Sequence, residues 1–293
     1  MANTTFSPHL FTNKVLRKFD QINKFFDYAN TDYTGEIKRF GDSIHVQTAP
    51  TLSFTASSIT GAAATTFTTG TWPGGVITAT DFTMVGENLV INKYYEYRTT
   101  FSVFALTQSG VDLEAVCADR YDVAYADLMD TQFRDQILVT DTATIPANNK
   151  LYSGAPKADV SKTTIYGYIE EMRVALANQN VVENLVLFLC PKHYSALIQS
   201  GVFDNTDAGF AARKTGSFGM LGNVKVIQTP QLTASFEMIM MQEKTVNFVT
   251  QINEVDLVKA PDGFYFNFLA TAVWGGKIFT EMAKGICIFY ASA

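Results

Sequence analysis

Residues 109–138 read SGVDLEAVCADRYDVAYADLMDTQFRDQIL, and the spacing within them sets the fold class. Tyr121, Tyr125, Met129, Phe133 and Ile137 step by four along one face, as an α-helix requires. Leu113, Val116, Ala124 and Leu128 make a second, overlapping stripe, and a helix apolar on two sides is expected to lie between two layers. Ser109 is a good N-cap, while Asp112 and Glu114 stand in the first turns, where the helix dipole favours acids. From Gly110 to Leu138 the helix would run about 43 Å, far beyond the ~11 residues of an average helix. On such a helix Asp112, Asp119, Asp122, Asp127 and Asp130 read as a wet stripe rather than as paired acids for catalysis.

Upstream, Leu89 to Ala105 alternates with period two and predicts a strand. Leu89, Ile91, Tyr95, Tyr97, Phe101 and Val103 share one face, with Lys93 the exception, and Asn92, Glu96, Arg98 and Ser102 share the other. Before it, Val46 to Thr80 holds no charged residue at all. Its Thr, Ser, Ala and Gly are interrupted by Phe54, Ile59, Phe67, Trp72 and Ile77, and Trp72-Pro73-Gly74-Gly75 marks a turn. An uncharged, aromatic edge must be paired or covered. The stretch therefore reads as a long loop or hairpin resting on a neighbouring copy, with Phe54, Phe67 and Trp72 as the inter-subunit contact candidates. Residues 1–35 read as an arm in which Phe11, Val15, Leu16, Phe19, Ile22 and Phe26 suggest a short amphipathic helix. Lys14, Arg17, Lys18 and Lys24 read as its solvated face.

Downstream, Thr163 can cap a second helix whose buried face is Ile165, Ile169, Met172 and Leu176. Leu185-Val-Leu-Phe-Leu-Cys190 is wholly apolar and suits a central strand. Pro191 starts a third helix and Gly201 ends it, before a glycine-bearing loop. Strands are then expected at 224–228, 236–241, 246–256, 264–273 and 286–290. The order of strand, long helix, helix–strand–helix and many strands is an α+β pattern.

Composition narrows the function. Only 17% of the 293 residues are charged, below the ~25% usual for a soluble domain, yet 23 Phe and 13 Tyr are present. A chain with so little charge and so many aromatics is expected to cover much of its surface with other subunits. The net charge is −6 and no basic run occurs, which argues against sequence-specific nucleic-acid binding. Cys117, Cys190 and Cys287 are too few and too scattered for a disulfide framework and fit a reducing compartment. The first twenty residues lack the apolar core of a secretory signal, and no apolar run reaches the ~18 residues of a membrane helix, so no membrane partner is expected.

Candidate chemical sites reduce to structure. Cys190 and His193 could form a metal or thiol–imidazole pair, but a zinc site needs about four ligands and His9 and His45 stand alone. Gly216-Ser-Phe-Gly219 lacks the Lys-Ser/Thr that follows the last glycine of a phosphate loop, and Gly-x-Ser-x-Gly is absent. Asp204 and Asp207 are too few for Ca²⁺. Tyr94, Tyr95, Tyr97 and Trp72 lack the flanking cations of a base-stacking platform. The expectation is no catalytic site, no metal and no cofactor.

An ordered set of motifs resembles the major capsid proteins of tailed bacteriophages with the Hong Kong 97-like fold. They are Gly41-Asp-Ser-Ile-His-Val46, Ile91-Asn-Lys-Tyr-Tyr95 leading into Ala105-Leu-Thr-Gln-Ser109, and the long helix. Asn184 to Tyr194, Gly216 to Val226, and Trp274-Gly-Gly-Lys277 with Gly285 to Tyr290 complete the set. The resemblance implies an N-terminal arm (1–40), an extended loop with its strands (41–105) and a peripheral domain with the long spine helix (106–159). An axial domain (160–250) and returning peripheral strands (251–293) would follow. It implies a non-enzymatic subunit of the virion head, made in the host cytoplasm and assembling as hexamers and pentamers into an icosahedral capsid. The shell would enclose double-stranded DNA without reading its sequence, with a portal protein as a further partner. The sequence leaves no room for a cleavable scaffolding segment before the arm, so a separate scaffolding protein is expected. The alternative on the same fold is an encapsulin-like nanocompartment shell.

Overall fold

Two apolar patterns, the period-four stripe of residues 121–137 and the unbroken run at 185–190, become the two elements around which the chain packs. The computed structural model describes residues 25–33, 43–48, 85–103, 113–154, 157–200, 220–233, 237–259 and 263–292. The chain forms two compact units, residues 45–88 and the remainder. After a single 3₁₀ turn at Phe26–Tyr28 come strands β1 (Ser43–Thr48), β2 (Val85–Val90) and β3 (Lys93–Ser102), and then helix α1 (Leu113–Asp135). A π-helical turn, Gln136–Thr140, extends α1; β4 (Lys150–Leu151), α2 (Ile165–Ala177), β5 (Leu185–Leu189) and α3 (Pro191–Gln199) follow. The last part is strand-rich: β6 (Met220–Leu221), β7 (Val224–Gln228), β8 (Met238–Gln242), β9 (Asn247–Lys259), β10 (Tyr265–Lys277) and β11 (Ile286–Phe289).

The described strands form three sheets: β1 with β2, the three-stranded β3-β10-β9, and the six-stranded β4-β11-β8-β5-β7-β6. In the large sheet β5 is central, parallel to β7 and antiparallel to β8. Its run is apolar throughout because both faces are covered. Leu185, Leu187 and Leu189 face the α2 stripe Ile165, Ile169, Met172 and Leu176 and the Leu197 of α3. Val186, Phe188 and Cys190 face the opposite way, toward Met129 and Phe133 of α1 and Ile137 of the π-helical turn. Strands β8 and β11 alternate in the same manner: Met238, Met240, Cys287 and Phe289 join the first cluster, while Ile239, Met241, Ile286 and Ile288 join the second.

One stripe of α1 serves both main sheets. Met129 and Phe133 in its C-terminal half, continued by Ile137 of the π-helical turn, lie under the six-stranded sheet, and its Tyr121 packs with Phe268 and Ala270 of the three-stranded one. Beyond α1 the buried Gln136 donates from Nε2 to Asp141 Oδ2 at 2.7 Å, and that oxygen also accepts the Ile278 N–H at 2.7 Å, so the helix end is tied to the exit of β10. Gly275 is required where β2 passes β10, because a Cβ there would collide with the Val90 carbonyl.

Residues 25–33 form a strap across the second face. Phe25 is fully buried, stacked on Phe188 with centroids 4.4 Å apart and tilted against Phe133 at 5.6 Å. Asp130 Oδ1 accepts the backbone N–H groups of Phe25 and Phe26 at 3.0 and 2.9 Å. Asn30 bridges in parallel to Asn247, with Asn30 N donating to Val246 O, Phe248 N donating to Asn30 O, and the two side-chain amides joined at 2.8 Å.

Several sequence expectations are corrected. Leu89–Ala105 is not one strand: it breaks at Ile91–Asn92 as the chain leaves β1 for a new partner, β10. The second stripe of the long helix is not buried, since Ala124 is exposed and Val116 and Leu128 are only partly covered. Asp130 leaves the wet stripe and is buried beneath the strap, while Asp119, Asp122 and Asp127 remain exposed. Thr164, not Thr163, occupies the N-cap position of α2, because the hydroxyls of Ser161, Thr163 and Thr164 bond within the preceding turn. Among the last strands, β9 and β10 join β3, whereas β11 inserts between β4 and β8. Ser109, Asp112, Gly201, Asp204, Asp207 and Gly216–Gly219 lie outside the described residues.

Phe133 touches the strap, the large sheet and Phe248, whose ring it stacks at 5.8 Å. Phe133→Ala is expected to lower unfolding free energy by about 3–5 kcal/mol, read from the denaturation midpoint at unchanged m-value. An unchanged midpoint would contradict this placement.

Candidate assembly surfaces

The residues best suited to chemistry are built into the core. Cys190 precedes α3 at the N-cap position and its Sγ accepts the His193 backbone N–H at 3.5 Å. Both side chains are fully buried. Burial, with Lys192 beside it, holds the His193 imidazole down to about 4. Cys287, inside β11, is pushed up to about 12 by burial alone, which keeps it a thiol and a poor nucleophile. Among the described residues no three His, Cys, Asp or Glu side chains gather as a metal site. No helix among them is long and apolar enough to cross a membrane.

What the chain offers outward is apolar and edge surface. The six-stranded sheet ends in β4 and β6, each only two residues long, which leaves little edge for foreign strands. The three-stranded sheet ends in β3 and β9, of 10 and 13 residues. The antiparallel pair β9–β10 extends roughly 40 Å at ~3.3 Å per residue. Phe264, immediately before β10, is 78% exposed. Tyr94 and Met220 are also exposed, as is Val139 in the π-helical turn. Tyr95 stacks on the buried Trp274 at 6.2 Å and Tyr97 meets Tyr121 and Phe268, so both act as packing residues.

The inter-subunit candidates Phe54, Phe67 and Trp72 lie outside the described residues. Sequence reasoning missed Phe25 and the burial of Asp130. A signal for the second was present: Asp130 sits three and seven residues before Phe133 and Ile137, on the apolar stripe itself. Phe25 was hidden because Phe26 continued the periodicity of the arm.

No family model and no curated protein matches the sequence. The fold is nonetheless defined: solved bacteriophage capsid structures share it across almost the whole chain. A chain of Mycobacterium phage Che8 matches with a TM-score of 0.74 at 18% identity, covering 98% of this chain and 98% of that one. The capsid of cyanophage P-SCSP1u matches at 0.73 and 14% identity, covering 100% and 97%. The mature capsid of bacteriophage PhiM1 matches at 0.65 and 13% identity, covering 98% and 92%. The resemblance read from the motif order is thus matched by the fold across almost the whole chain.

The His193 environment predicts acid sensitivity. Its pKa falls from 6.5 to about 4 on folding, so the unfolded chain takes up the proton first. This contribution to stability is complete above pH 6.5 and is lost as pH falls toward 4, by roughly 3 kcal/mol at ~1.4 kcal/mol per pH unit. Urea titrations of wild type and His193→Gln from pH 7 to 4 should show a smaller loss in the variant. Parallel pH profiles would remove His193 as the cause.

Proposed function

We propose that the chain is the major capsid protein of a tailed bacteriophage, a Hong Kong 97-like shell subunit without enzymatic activity. The observation that carries this reading is the likeness to phage capsid structures, which spans nearly all of this chain and nearly all of theirs. In this reading 1–40 is the arm, 41–105 the extended loop with its strands, 106–159 the peripheral domain with α1 as spine, and 160–250 the axial domain. Copies associate as hexamers and pentamers and close an icosahedral head around double-stranded DNA, with a portal and a separate scaffolding protein as partners. An acidic subunit of net charge −6 suits a wall that packaged DNA slides past rather than one that binds it.

The mechanism of assembly is repeated, modest burial multiplied by symmetry. The charge-free stretch 46–80 reaches a neighbour and buries Phe54, Phe67 and Trp72, each worth roughly 2–3 kcal/mol at ~25 cal/mol per Å². Between Arg39 and Lys93 the sequence holds no lysine or arginine, so that stretch offers no amine for covalent locking. The hold on the neighbour is non-covalent.

Electron cryomicroscopy of the expressed chain, alone and with a scaffolding protein, tests the reading: closed icosahedral particles are expected, and their absence under both conditions would refute it. Deletion of residues 55–78 should leave a folded subunit that forms no stable shells. Denaturing gels of wild-type particles should show one band near 32 kDa; a reductant-resistant ladder would overturn the non-covalent account.

A further inference from the structure

Strand β3 (Lys93–Ser102) ends its sheet, and among the described residues no strand pairs with its outer side. Its inner side is bonded to β10 without a break in register, from Tyr265 opposite Ser102 to Trp274 opposite Lys93. The other edge, β9, is not equivalent. Its register with β10 shifts between Thr271 and Ala272, and such an irregularity twists an edge away from further pairing. β3 carries neither a proline nor a bulge, and its Tyr, Thr and Phe favour strands.

The bond from Val103 N to Phe264 O, at 2.9 Å, sets the phase of this pairing. Odd-numbered residues of β3 exchange bonds with β10, so Tyr94, Glu96, Arg98 and Thr100 turn their N–H and C=O groups outward. Tyr97 and Phe101 rest on Tyr121 and Phe268 and are only partly buried, which leaves aromatic surface uncovered along the edge. Glu96 and Arg98 point to the opposite face of the sheet, where both are exposed. Neither is ion-paired among the described residues.

We propose that β3 pairs antiparallel with β3 of a second copy, across a two-fold axis at Tyr97. The outward backbone groups admit only registers that set even-numbered residues opposite one another. An axis at Glu96 would face that carboxylate with its own copy, and an axis at Arg98 would face two guanidinium groups. Axes further along the strand leave both charges unmatched. The axis at Tyr97 sets Glu96 opposite Arg98 of the second copy, twice, and Tyr94 opposite Thr100. The joined sheet has six strands and keeps α1 of both copies on one face. This rests on the self-assembly proposed above and gives it an isologous contact, which closes after two copies. Backbone bonds and aromatic cover supply the hold, and the two charge pairs select the register.

Carbodiimide cross-linking tests the contact in full-length protein carrying Arg98→Lys, which keeps the charge and adds an amine. Protein assembled from equal ¹⁴N and ¹⁵N pools should give mixed-isotope peptides joining Glu96 to position 98. Links of one isotope only, links from position 98 to a co-expressed scaffolding protein in their place, or no link would overturn the pair. Glu96 and Arg98 are both exposed, so charge reversals there should leave the denaturation midpoint unchanged. Glu96→Arg makes both contacts like-charged and should lower particle yield about tenfold at about 150 mM salt, with recovery when Arg98→Glu is added. Unchanged yield in the first variant, or no recovery in the second, refutes the register. Closed particles without the mixed link refute the strand pair alone, whereas the mixed link in oligomers that never close supports the pair and refutes the shell.

Discussion

The stripe of α1 from Tyr121 to Ile137 is the constraint on which the larger unit depends. Over ~24 Å it packs Tyr121 against the three-stranded sheet and Met129, Phe133 and Ile137 against the six-stranded sheet. Neither sheet could bury that face without it, and the strap enters the core only because Phe133 and Phe188 leave a slot for Phe25. Asp130 sits at the same place for a physical reason. The strap turns sharply there, and its first backbone N–H groups would be buried without acceptors; a carboxylate on the helix supplies one.

The two sheets differ in what they leave open. The six-stranded sheet is covered on both faces and closed at both edges by strands of two residues, so it behaves as a finished core. The three-stranded sheet has long edge strands, and Phe264, just before β10, is exposed. A monomer built to stay alone would blunt such edges and hide such a side chain. Together with a charged fraction of 17%, this asymmetry is what the proposed shell role would ask of a subunit.

Phe25 packs in the cluster on one face of the six-stranded sheet, and the buried stripe of α2 packs in the cluster on the other.

The sequence by itself determined the local elements. Period four marked the buried side of α1, the Ile165–Leu176 spacing marked that of α2, and the apolar run 185–190 marked a strand covered on both faces. In each case the signal is the exclusion of polar side chains from one or two directions, which any packing partner would demand. Motif order was enough to point to the capsid fold. Tertiary structure alone decided which partners met. It split Leu89–Ala105 at Asn92 by changing the pairing strand, sent β11 to the six-stranded sheet while β10 joined β3, and buried Asp130 beneath the strap. The pairing of β10 with β3 and of β11 with β4, and the burial of Asp130, depend on residues 100 or more positions away. Periodicity records that a face is covered; it carries no record of what covers it.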